Sequence, residues 1–478
     1  MDLETYTQKS EQPAHLKRAL GVADLTWLCV VAVANLNVLP AIAASGPLTM
    51  WLWLLAFAFF FLPQGISVIE LSYRFPAEGG LYVWTKEMYG ELHGFLCGWC
   101  YWTANMFFIP TLLFYLVGLV TYTAGASLGR LSESALFFGS LTIGLLWLTA
   151  LANIRGLGVG KWVNNVGGVG TLAAAVALII LGAWSVGRFG TALPAGSFRL
   201  SNLDLSVCSS FGLICFALVG LELGAVMGGE IRNPRRSVPR SVLYGGILSG
   251  VQYLGATLAV LLAVPQKDLK VVQGVLQAVD QMAAKLSLGW LLLPIAVLIV
   301  VSVIGATSAW LSGSARILFV SGLDRYLPKV LGKVHPKHGT PHIALVGIAV
   351  LSSCLILMSF VGKTTVREAY VTLLDLAVVL QMISYLYLYA SLARIAFGKS
   401  PGAGFYSKVR IRFAALSGLI TAGTGMIVAF VPSHSVDSVW RFEIKMILTC
   451  VLFLAFAAGL FFHYSRKQAT PAAISVEA

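Results

Sequence analysis

The sequence predicts an all-α integral membrane protein with twelve transmembrane helices. Hydrophobic residues make up 58% of the 478 residues and charged residues only 11%, whereas a soluble domain carries about 25% charged residues. The mean hydropathy is +0.83, and many apolar runs reach the roughly 20 residues that an α-helix needs to cross a bilayer. This composition excludes a soluble domain held to a membrane by a single anchor.

Apolar runs divide the chain into twelve predicted spans. They cover residues 22–44, 48–71, 95–122, 135–152, 161–184, 206–229, 241–264, 286–311, 343–361, 369–393, 413–431 and 446–464. An even number of spans places both termini on one side of the membrane. Lys and Arg concentrate in the loops on that side, so the positive-inside tendency predicts that both termini are cytoplasmic.

The first 19 residues are polar and lack the apolar stretch and cleavage site of a signal peptide. We therefore expect the first helix to direct insertion into an inner or plasma membrane. The formal net charge of +13 belongs to loops that face anionic lipid, which argues against nucleic-acid binding.

Known catalytic and metal-binding motifs are absent from the sequence. Cys97 and Cys100 have the C-x-x-C spacing but lie inside the apolar run FLCGWCYWTANMFF, which favours helix packing over redox chemistry. Neither a metalloprotease motif nor a nucleophile elbow occurs. The sequence therefore predicts no enzyme, no catalytic residue, no cofactor and no metal site.

A glutamate, Glu222, lies within the apolar run SSFGLICFALVGLELGAVMG, residues 209–228. A carboxylate in hydrocarbon is costly unless it is paired, protonated or facing a polar cavity, so Glu222 is a functional hypothesis. A structural hydrogen bond to a neighbouring helix is the alternative. Asp375 and Glu70 are further candidate relay carboxylates, and Glu70 is favoured as a paired structural residue.

Two predicted helices are interrupted at corresponding places. The first contains AVANLNVLPAIAASGP, in which Asn35, Asn37 and Pro40 weaken the helical ladder. The sixth contains FALVGLELG, with glycines around Glu222, and follows five helices later. This spacing favours a five-plus-five repeat. Broken helices expose N–H groups at one end and carbonyls at the other, which together suit a zwitterion.

A basic segment with two prolines, GEIRNPRRSVPRS, follows the sixth span. It is interpreted as a positive stop at the cytoplasmic end of that helix, with Pro234 and Pro239 ending the helix sharply.

Three motifs carry a resemblance to a known family. They are VGLELGAVMGGEIRNPRRSVPRS after the sixth helix, SARILFVSGLDRYLPKVLGKVHPKHGTP between the eighth and ninth, and SYRFPAEGGLYVWTKEMYG between the second and third. With them, essentially the whole chain resembles the amino acid–polyamine–organocation (APC) superfamily of transporters, as a bacterial-type amino acid permease. The resemblance implies a LeuT-type fold with discontinuous helices 1 and 6.

The same resemblance implies a domain organisation. Residues 1–19 would form a cytoplasmic tail, and residues 20–395 a transport core in which helices 1–5 and 6–10 are inverted repeats. Residues 396–464 would form the peripheral helices 11 and 12, and residues 465–478 a second cytoplasmic tail.

The resemblance also implies a substrate site at the two breaks. In such carriers, backbone amides of the first break receive the substrate carboxylate, and carbonyls of the sixth receive its amino group beneath an aromatic ring. Similarity to bacterial arginine/agmatine exchangers adds an asparagine of the third helix and a tryptophan of the eighth. The implied substrate-binding residues are Val33, Ala34, Asn35, Leu36, Asn105, Phe216, Ala217, Leu218 and Trp310. The implied coupling or gating residues are Glu222 and Phe216.

The sequence departs from the family pattern in two places. Many members have glycines at the first break, where this chain has Val33, Ala34 and Asn35, so the side chain of Asn35 or Asn37 is expected to contact the substrate instead of bare amides. Some proton-coupled members have a fifth-helix lysine where this chain has Gly170. A lysine proton switch is therefore not expected.

The function implied by the resemblance is secondary active transport of amino acids by alternating access, as a proton symporter or an exchanger. A polyamine or amine transporter of the same superfamily is the main alternative, and a channel or receptor is a remote one. The expected partners are a small-molecule amino acid or amine, protons and the lipid bilayer. The sequence leaves the individual substrate and the oligomeric state open.

Overall fold

The computed structural model describes residues 18–125, 134–194, 196–202, 204–265, 269–324, 326–360, 365–398, 404–430 and 439–474. Most of the predicted tail 1–19 and the end of the predicted tail 465–478 lie outside these ranges. Residues 465–474 continue the last helix, Val439–Ile474.

Among the described residues, helical segments lie at the position of each predicted span and are numbered α1 to α12. Two of them are broken, and α2 contains a π-helical turn at Phe57–Phe61. Their bounds are α1, Val22–Val33 and Leu39–Ala44; α2, Thr49–Ala56 and Leu62–Arg74; α3, Glu91–Thr123; α4, Ala135–Ile154; α5, Leu157–Phe189; α6, Leu205–Ala217 and Leu223–Val226; α7, Pro234–Ala263; α8, Leu292–Leu323; α9, His342–Ser359; α10, Val366–Phe397; α11, Lys408–Val428; and α12, Val439–Ile474.

Within the described residues, eleven helical segments are long and apolar enough to cross a membrane. The predicted sixth span differs, because its apolar helix is confined to Val207–Ala217. The chain therefore belongs to a multi-pass membrane protein, and the sixth segment is short because its helix stops in the middle of the predicted span.

The basic segment after α6 does not act as the predicted stop. Pro234 begins α7, and Pro239 lies within the first turns of this helix. Asn233, the residue before Pro234, has the left-handed conformation with a φ of 49°. Proline is tolerated at the start of a helix because its missing N–H would have no intrahelical partner there. The cluster of arginines therefore opens the seventh helix, while α6 has already ended.

Two short amphipathic helices were not predicted from the sequence. Leu81–Tyr89 lies between α2 and α3, and Gly274–Lys285 lies between α7 and α8. The first therefore follows α2 and the second follows α7. Helices of this length cannot span a bilayer, so a search for spans overlooks them.

Burial identifies α3 as the centre of the bundle. In the apolar stretch of α3, 94% is buried, whereas the corresponding share is 22% in α12 and 39% in α11. Both breaks also lie in the protein interior, because Ala34 and Asn35 of the first and Leu218 and Val219 of the sixth are buried.

Small residues bring α5 and α8 into direct backbone contact. A Cβ atom added to Gly167 would lie 2.6 Å from the Cα of Gly305, and the reverse distance is also 2.6 Å. Gly170 belongs to the same contact, since a Cβ there would lie 3.1 Å from the carbonyl oxygen of Leu298. The position where some family members have a lysine is therefore packed against α8.

One parallel β-bridge joins Leu20, just before α1, to Ile231, just after α6. The Leu20 amide donates to the Glu230 carbonyl at 3.0 Å, and the Arg232 amide donates to the Leu20 carbonyl at 2.9 Å. The start of α1 is thereby tied to the segment that follows the broken sixth helix.

Candidate functional site

The first half of α1 ends at Val33, and the chain is extended at Asn35 before a 3-10 turn over Leu36–Val38. The Asn35 side chain caps this end, because its Nδ2 donates to the Ala32 carbonyl at 2.5 Å. Trp310 Nε1 of α8 donates to the same carbonyl at 3.2 Å. Side chains thus satisfy a carbonyl that the broken helix leaves without its usual partner.

The break in α6 approaches the break in α1 closely. Gly220 has a φ of +134°, and a Cβ atom there would lie 3.0 Å from the carbonyl carbon of Ala32. This backbone conformation is one that glycine adopts readily and other residues do not. Glycine at this position therefore permits both the unwinding and the contact between the two breaks.

Tyr253 of α7 bridges the two breaks, a role that sequence reasoning missed. Its hydroxyl lies 2.6 Å from the Val33 carbonyl and 2.9 Å from the Ala217 carbonyl. The Asn35 amide donates to it at 2.9 Å. A phenolic hydroxyl has one hydrogen to donate and can accept another. The Asn35 N–H therefore already has an acceptor within the protein.

A pocket, called here the central pocket, lies between the broken helices and the helices α3, α8 and α10. Its lining residues are Asn35, Val38, Ala104, Asn105, Phe108, Phe216, Ala217, Val219, Trp310 and Gln381. All of them are buried. The pocket is therefore largely shielded from solvent in this conformation.

The structure brings five of the implied substrate-binding residues together at this pocket: Asn35, Asn105, Phe216, Ala217 and Trp310. The other four are buried near the breaks without lining the pocket: Val33, Ala34, Leu36 and Leu218. The remaining lining residues, which the sequence did not indicate, are Val38, Ala104, Phe108, Val219 and Gln381.

Three aromatic rings form one wall of the central pocket. Phe108 meets Phe216 edge to face, with ring centroids 5.0 Å apart, and meets Trp310 in the same manner at 5.9 Å. Edge-to-face pairs of this kind stabilise one another beyond their buried area. Phe216 is therefore held by a partner on α3 as well as by its own backbone.

Glu222 is completely buried and accepts hydrogen bonds from four elements. Tyr101 donates to Oε1 at 3.1 Å, and Gln64 and the Gly220 amide donate to Oε2 at 3.0 Å each. Tyr385 of α10 also donates to Oε2. We call this arrangement the Glu222 network. The sequence indicated the carboxylate, but not the three side chains that surround it.

The other singled-out polar residues lie elsewhere. Glu70 is paired with Arg74 at 2.7 Å and accepts the amides of Phe405 and Tyr406, which matches its predicted structural role. Asp375 is half-buried and does not line the central pocket.

Asn37 is fixed by Tyr370 of α10. Its Nδ2 donates to the Tyr370 hydroxyl at 3.3 Å, and that hydroxyl donates to the Asn37 carbonyl at 3.0 Å. Asn37 therefore ties α1 to α10 and does not line the central pocket.

A second buried charged group, called here the Arg316 cluster, comprises Glu78, Glu230 and Arg316. Arg316 Nη2 lies 2.8 Å from Glu230 Oε1, and Arg316 Nε lies 3.8 Å from Glu78 Oε1. The Gly229 amide donates to Glu78 Oε2 at 2.7 Å. Burial, and next the charge of Glu230, raise the pKa of Glu78 to about 8, although Arg316 and the Gly229 amide act in the opposite direction.

Within the described ranges, no group of three or more His, Cys, Asp or Glu side chains is placed to hold a metal ion. Cys97 and Cys100 are both buried and free. Cys97 Sγ lies 3.8 Å from the Leu81 carbonyl oxygen, a contact between α3 and the short helix before it.

The sequence matches other transporters over most of its length. It is 29% identical over 455 residues to an uncharacterized transporter of Legionella pneumophila, covering 92% of this chain and 96% of that protein. It is 26% identical to the probable agmatine/putrescine antiporter AguD of Lactococcus lactis, over 68% of each chain. It is 27% identical to the serine/threonine exchanger SteT of Bacillus subtilis, over 72% of this chain and 77% of that one.

The model of one protein family, described as amino acid permease, matches residues 20–456. That range contains both broken helices, the central pocket and the Arg316 cluster. The family confirms the resemblance drawn from the three sequence motifs, and the family and the named relatives are transporters and not enzymes. This chain belongs to the amino acid permease family of membrane transporters.

Proposed function

We propose that this protein is a secondary carrier that moves an amino acid across the cell membrane by alternating access, as a proton symporter or an exchanger. The observation that carries the proposal is the buried central pocket between two broken helices. A channel needs a continuous path, whereas a carrier needs a site that can be closed from both sides at once.

The two helix breaks suit the two charges of an amino acid. Asn35 and Val38 line the central pocket where the second half of α1 begins, and Ala217 lines it where the first half of α6 ends. The start of a helix carries partial positive charge and the end carries partial negative charge. We place the substrate carboxylate at the former and its ammonium group at the latter.

Alternating access requires one group of helices to move against another. In the proposed motion α1, α2, α6 and α7 form the moving group, as the inverted-repeat fold implies. Glu222 and Gln64 then belong to that group, while Tyr101 and Tyr385 belong to the remainder. The hydrogen bonds from the two tyrosines to Glu222 join the moving group to the remaining helices. Separation of the two groups at this network therefore breaks these bonds, while the contact between Gln64 and Glu222 persists.

Protonation of Glu222 is the proposed link between protons and this opening. A neutral carboxyl group accepts hydrogen bonds more weakly than a carboxylate does. Loss of the negative charge therefore loosens the contacts with Tyr101 and Tyr385 that hold this conformation closed.

We place both termini in the cytoplasm on the basis of the loop charges.

The test is counterflow of labelled amino acids in proteoliposomes. The wild-type protein should exchange external for internal substrate, and Glu222→Gln should lower the rate and flatten its pH dependence. Asp280→Asn is the matched control, because Asp280 accepts a hydrogen bond from Tyr122 at 2.9 Å and does not line the central pocket. An unchanged rate and pH profile in Glu222→Gln would refute the coupling role, and flux without counterflow would refute the carrier.

A further inference from the structure

We propose that Gln381 selects the substrate side chain, and that the substrate is a neutral amino acid with a hydroxyl or carboxamide group. This inference rests on the proposed function, since it assigns a substrate class to the central pocket. It depends on two observations: which hydrogen-bond donors of the pocket are already engaged, and which of its described lining residues carry a charge.

Four lining residues carry a side-chain N–H donor. Asn35 and Trp310 donate to the Ala32 carbonyl, and Asn105 Nδ2 donates to the Tyr101 carbonyl at 2.8 Å. Gln381 Nε2 has no hydrogen-bond partner, although the residue is only 1% exposed. Among the pocket's described residues, Gln381 is therefore the one whose side-chain donor is not engaged within the protein.

A buried amide without a partner is costly, and that cost is removed when a ligand supplies the missing group. An amide offers both a donor and an acceptor. Hydroxyl and carboxamide groups also have both, so either can pair with Gln381 whichever way its amide is turned. An aliphatic side chain leaves the amide unpaired, and the aromatic wall of Phe108, Phe216 and Trp310 offers it no acceptor.

The charges around the central pocket disfavour a substrate with a cationic side chain. None of its described lining residues has an acidic side chain. The nearby Glu222 carboxylate is already engaged by Tyr101, Tyr385 and Gln64 and by a backbone amide. A second positive charge would have to be desolvated without a counterion, and contact with Trp310 would offset only part of that cost.

Gln381 lies close to the Glu222 network along α10. It lies four residues before Tyr385, hence one turn away on the same face of the helix. A substrate that pairs with Gln381 therefore lies one helical turn from the Glu222 network. Selection of the side chain and closure of the network are thus carried by neighbouring residues of one helix.

Threonine and valine form the decisive pair of substrates, because they have nearly the same shape and differ in the hydroxyl group. We expect wild-type protein in proteoliposomes to take up threonine at least about tenfold more efficiently than valine. Gln381→Leu should bring the two rates close together, mainly by slowing threonine. Gln381→Met keeps the side-chain length without the amide and serves if the leucine variant does not fold.

Gln252→Leu is the matched control. Gln252 is a buried glutamine of α7 with neither amide atom hydrogen-bonded, and it does not line the central pocket. It should leave the threonine-to-valine ratio unchanged.

A charge substitution tests the second part of the inference. Agmatine and putrescine should not compete with threonine in the wild-type protein, whereas Gln381→Glu should make them competitors by supplying a counterion. A threonine-to-valine ratio that survives Gln381→Leu, or stronger competition by agmatine than by serine in the wild type, would overturn the inference while leaving a carrier. If wild-type protein transports no amino acid or amine of this panel, the proposed function itself fails and the inference falls with it.

Discussion

Arg316 and Glu230 form a buried ion pair in which one guanidinium nitrogen, Nη2, donates to both carboxylate oxygens at 2.8 and 3.0 Å. The other terminal nitrogen donates to the carbonyl and the hydroxyl of Ser312 at 2.7 and 2.8 Å. Glu230 follows the broken sixth helix, and Arg316 belongs to α8. The pair therefore fastens the end of α6 to a helix that we place outside the moving group.

Arg316→Met should destabilise the protein by about 3–5 kcal/mol, because it leaves Glu78 and Glu230 buried without their cation. Thermal unfolding in detergent measures the loss. Lys86→Met is the control, since the Lys86–Asp324 pair is partly exposed and contributes about 1 kcal/mol or less. Equal decreases in unfolding temperature in the two variants would show that the Arg316 cluster contributes no more to stability than the Lys86–Asp324 pair.

The Arg316 cluster also predicts a pH dependence that belongs to Glu78. Because the folded pKa is raised from 4.5 to about 8, the folded protein holds a proton that the unfolded chain has released. Stability from this group is therefore greatest below about pH 4.5 and declines as the pH rises towards 8.

Glu78→Gln should remove that part of the decline. Unfolding temperatures of wild type and variant, measured from pH 5 to pH 8, should diverge with the variant the less sensitive to pH. Parallel curves would contradict the prediction. The groups that face Glu78 are Glu230, Arg316 and the Gly229 amide, so no histidine accounts for such a difference.

Tyr253→Phe should weaken the connection between the two broken helices. The variant removes the donor near the Val33 and Ala217 carbonyls and the acceptor of the Asn35 amide. A buried polar group left without a hydrogen-bond partner lowers the free energy of unfolding by about 1–3 kcal/mol. Tyr115→Phe is a close control, because the Tyr115 hydroxyl is buried without a hydrogen-bond partner. Substrate uptake and unfolding temperature should fall in Tyr253→Phe and hold in Tyr115→Phe.

Gly220→Ala should separate the breaks. The alanine Cβ would lie 3.0 Å from the backbone of Ala32, and the φ of +134° is strained for any residue with a side chain. The substitution should lower the free energy of unfolding by about 1–3 kcal/mol. Gly144→Ala, in α4 with nothing within 4 Å of the added atom, should be neutral or slightly stabilising. Indistinguishable unfolding temperatures for the two variants would refute the close approach of the breaks.

The sequence was informative where a residue conflicts with its surroundings. Asn35, Pro40 and the glycines beside Glu222 disturb apolar helices, so the breaks and the intramembrane carboxylate could be predicted from the residues alone. The positions of the unbroken spans follow from hydropathy in the same way, but their ends do not, because α8 continues to Leu323 beyond the predicted end at residue 311. These signals are local, and each requires only the residues beside it.

Partners across helices could not be predicted in this way. Tyr253, Tyr385 and Phe108 lie in helices that are apolar nearly all round, so no polar face reveals which side meets the interior. Their roles depend on which helices become neighbours. Gln381 shares this limit, because a glutamine in a membrane helix is informative only when the pocket beside it is known.

The bridge between Leu20 and Ile231 imposes an order on biosynthesis. Leu20 leaves the ribosome before α1, but its hydrogen-bond partner follows α6, so the pairing must wait until half of the bundle has been made. Until then the first helix can sit in the membrane without its final tilt or rotation. A nascent chain arrested before residue 231 should therefore hold an inserted but unanchored α1, and a cross-link between positions 20 and 231 should form only on longer chains.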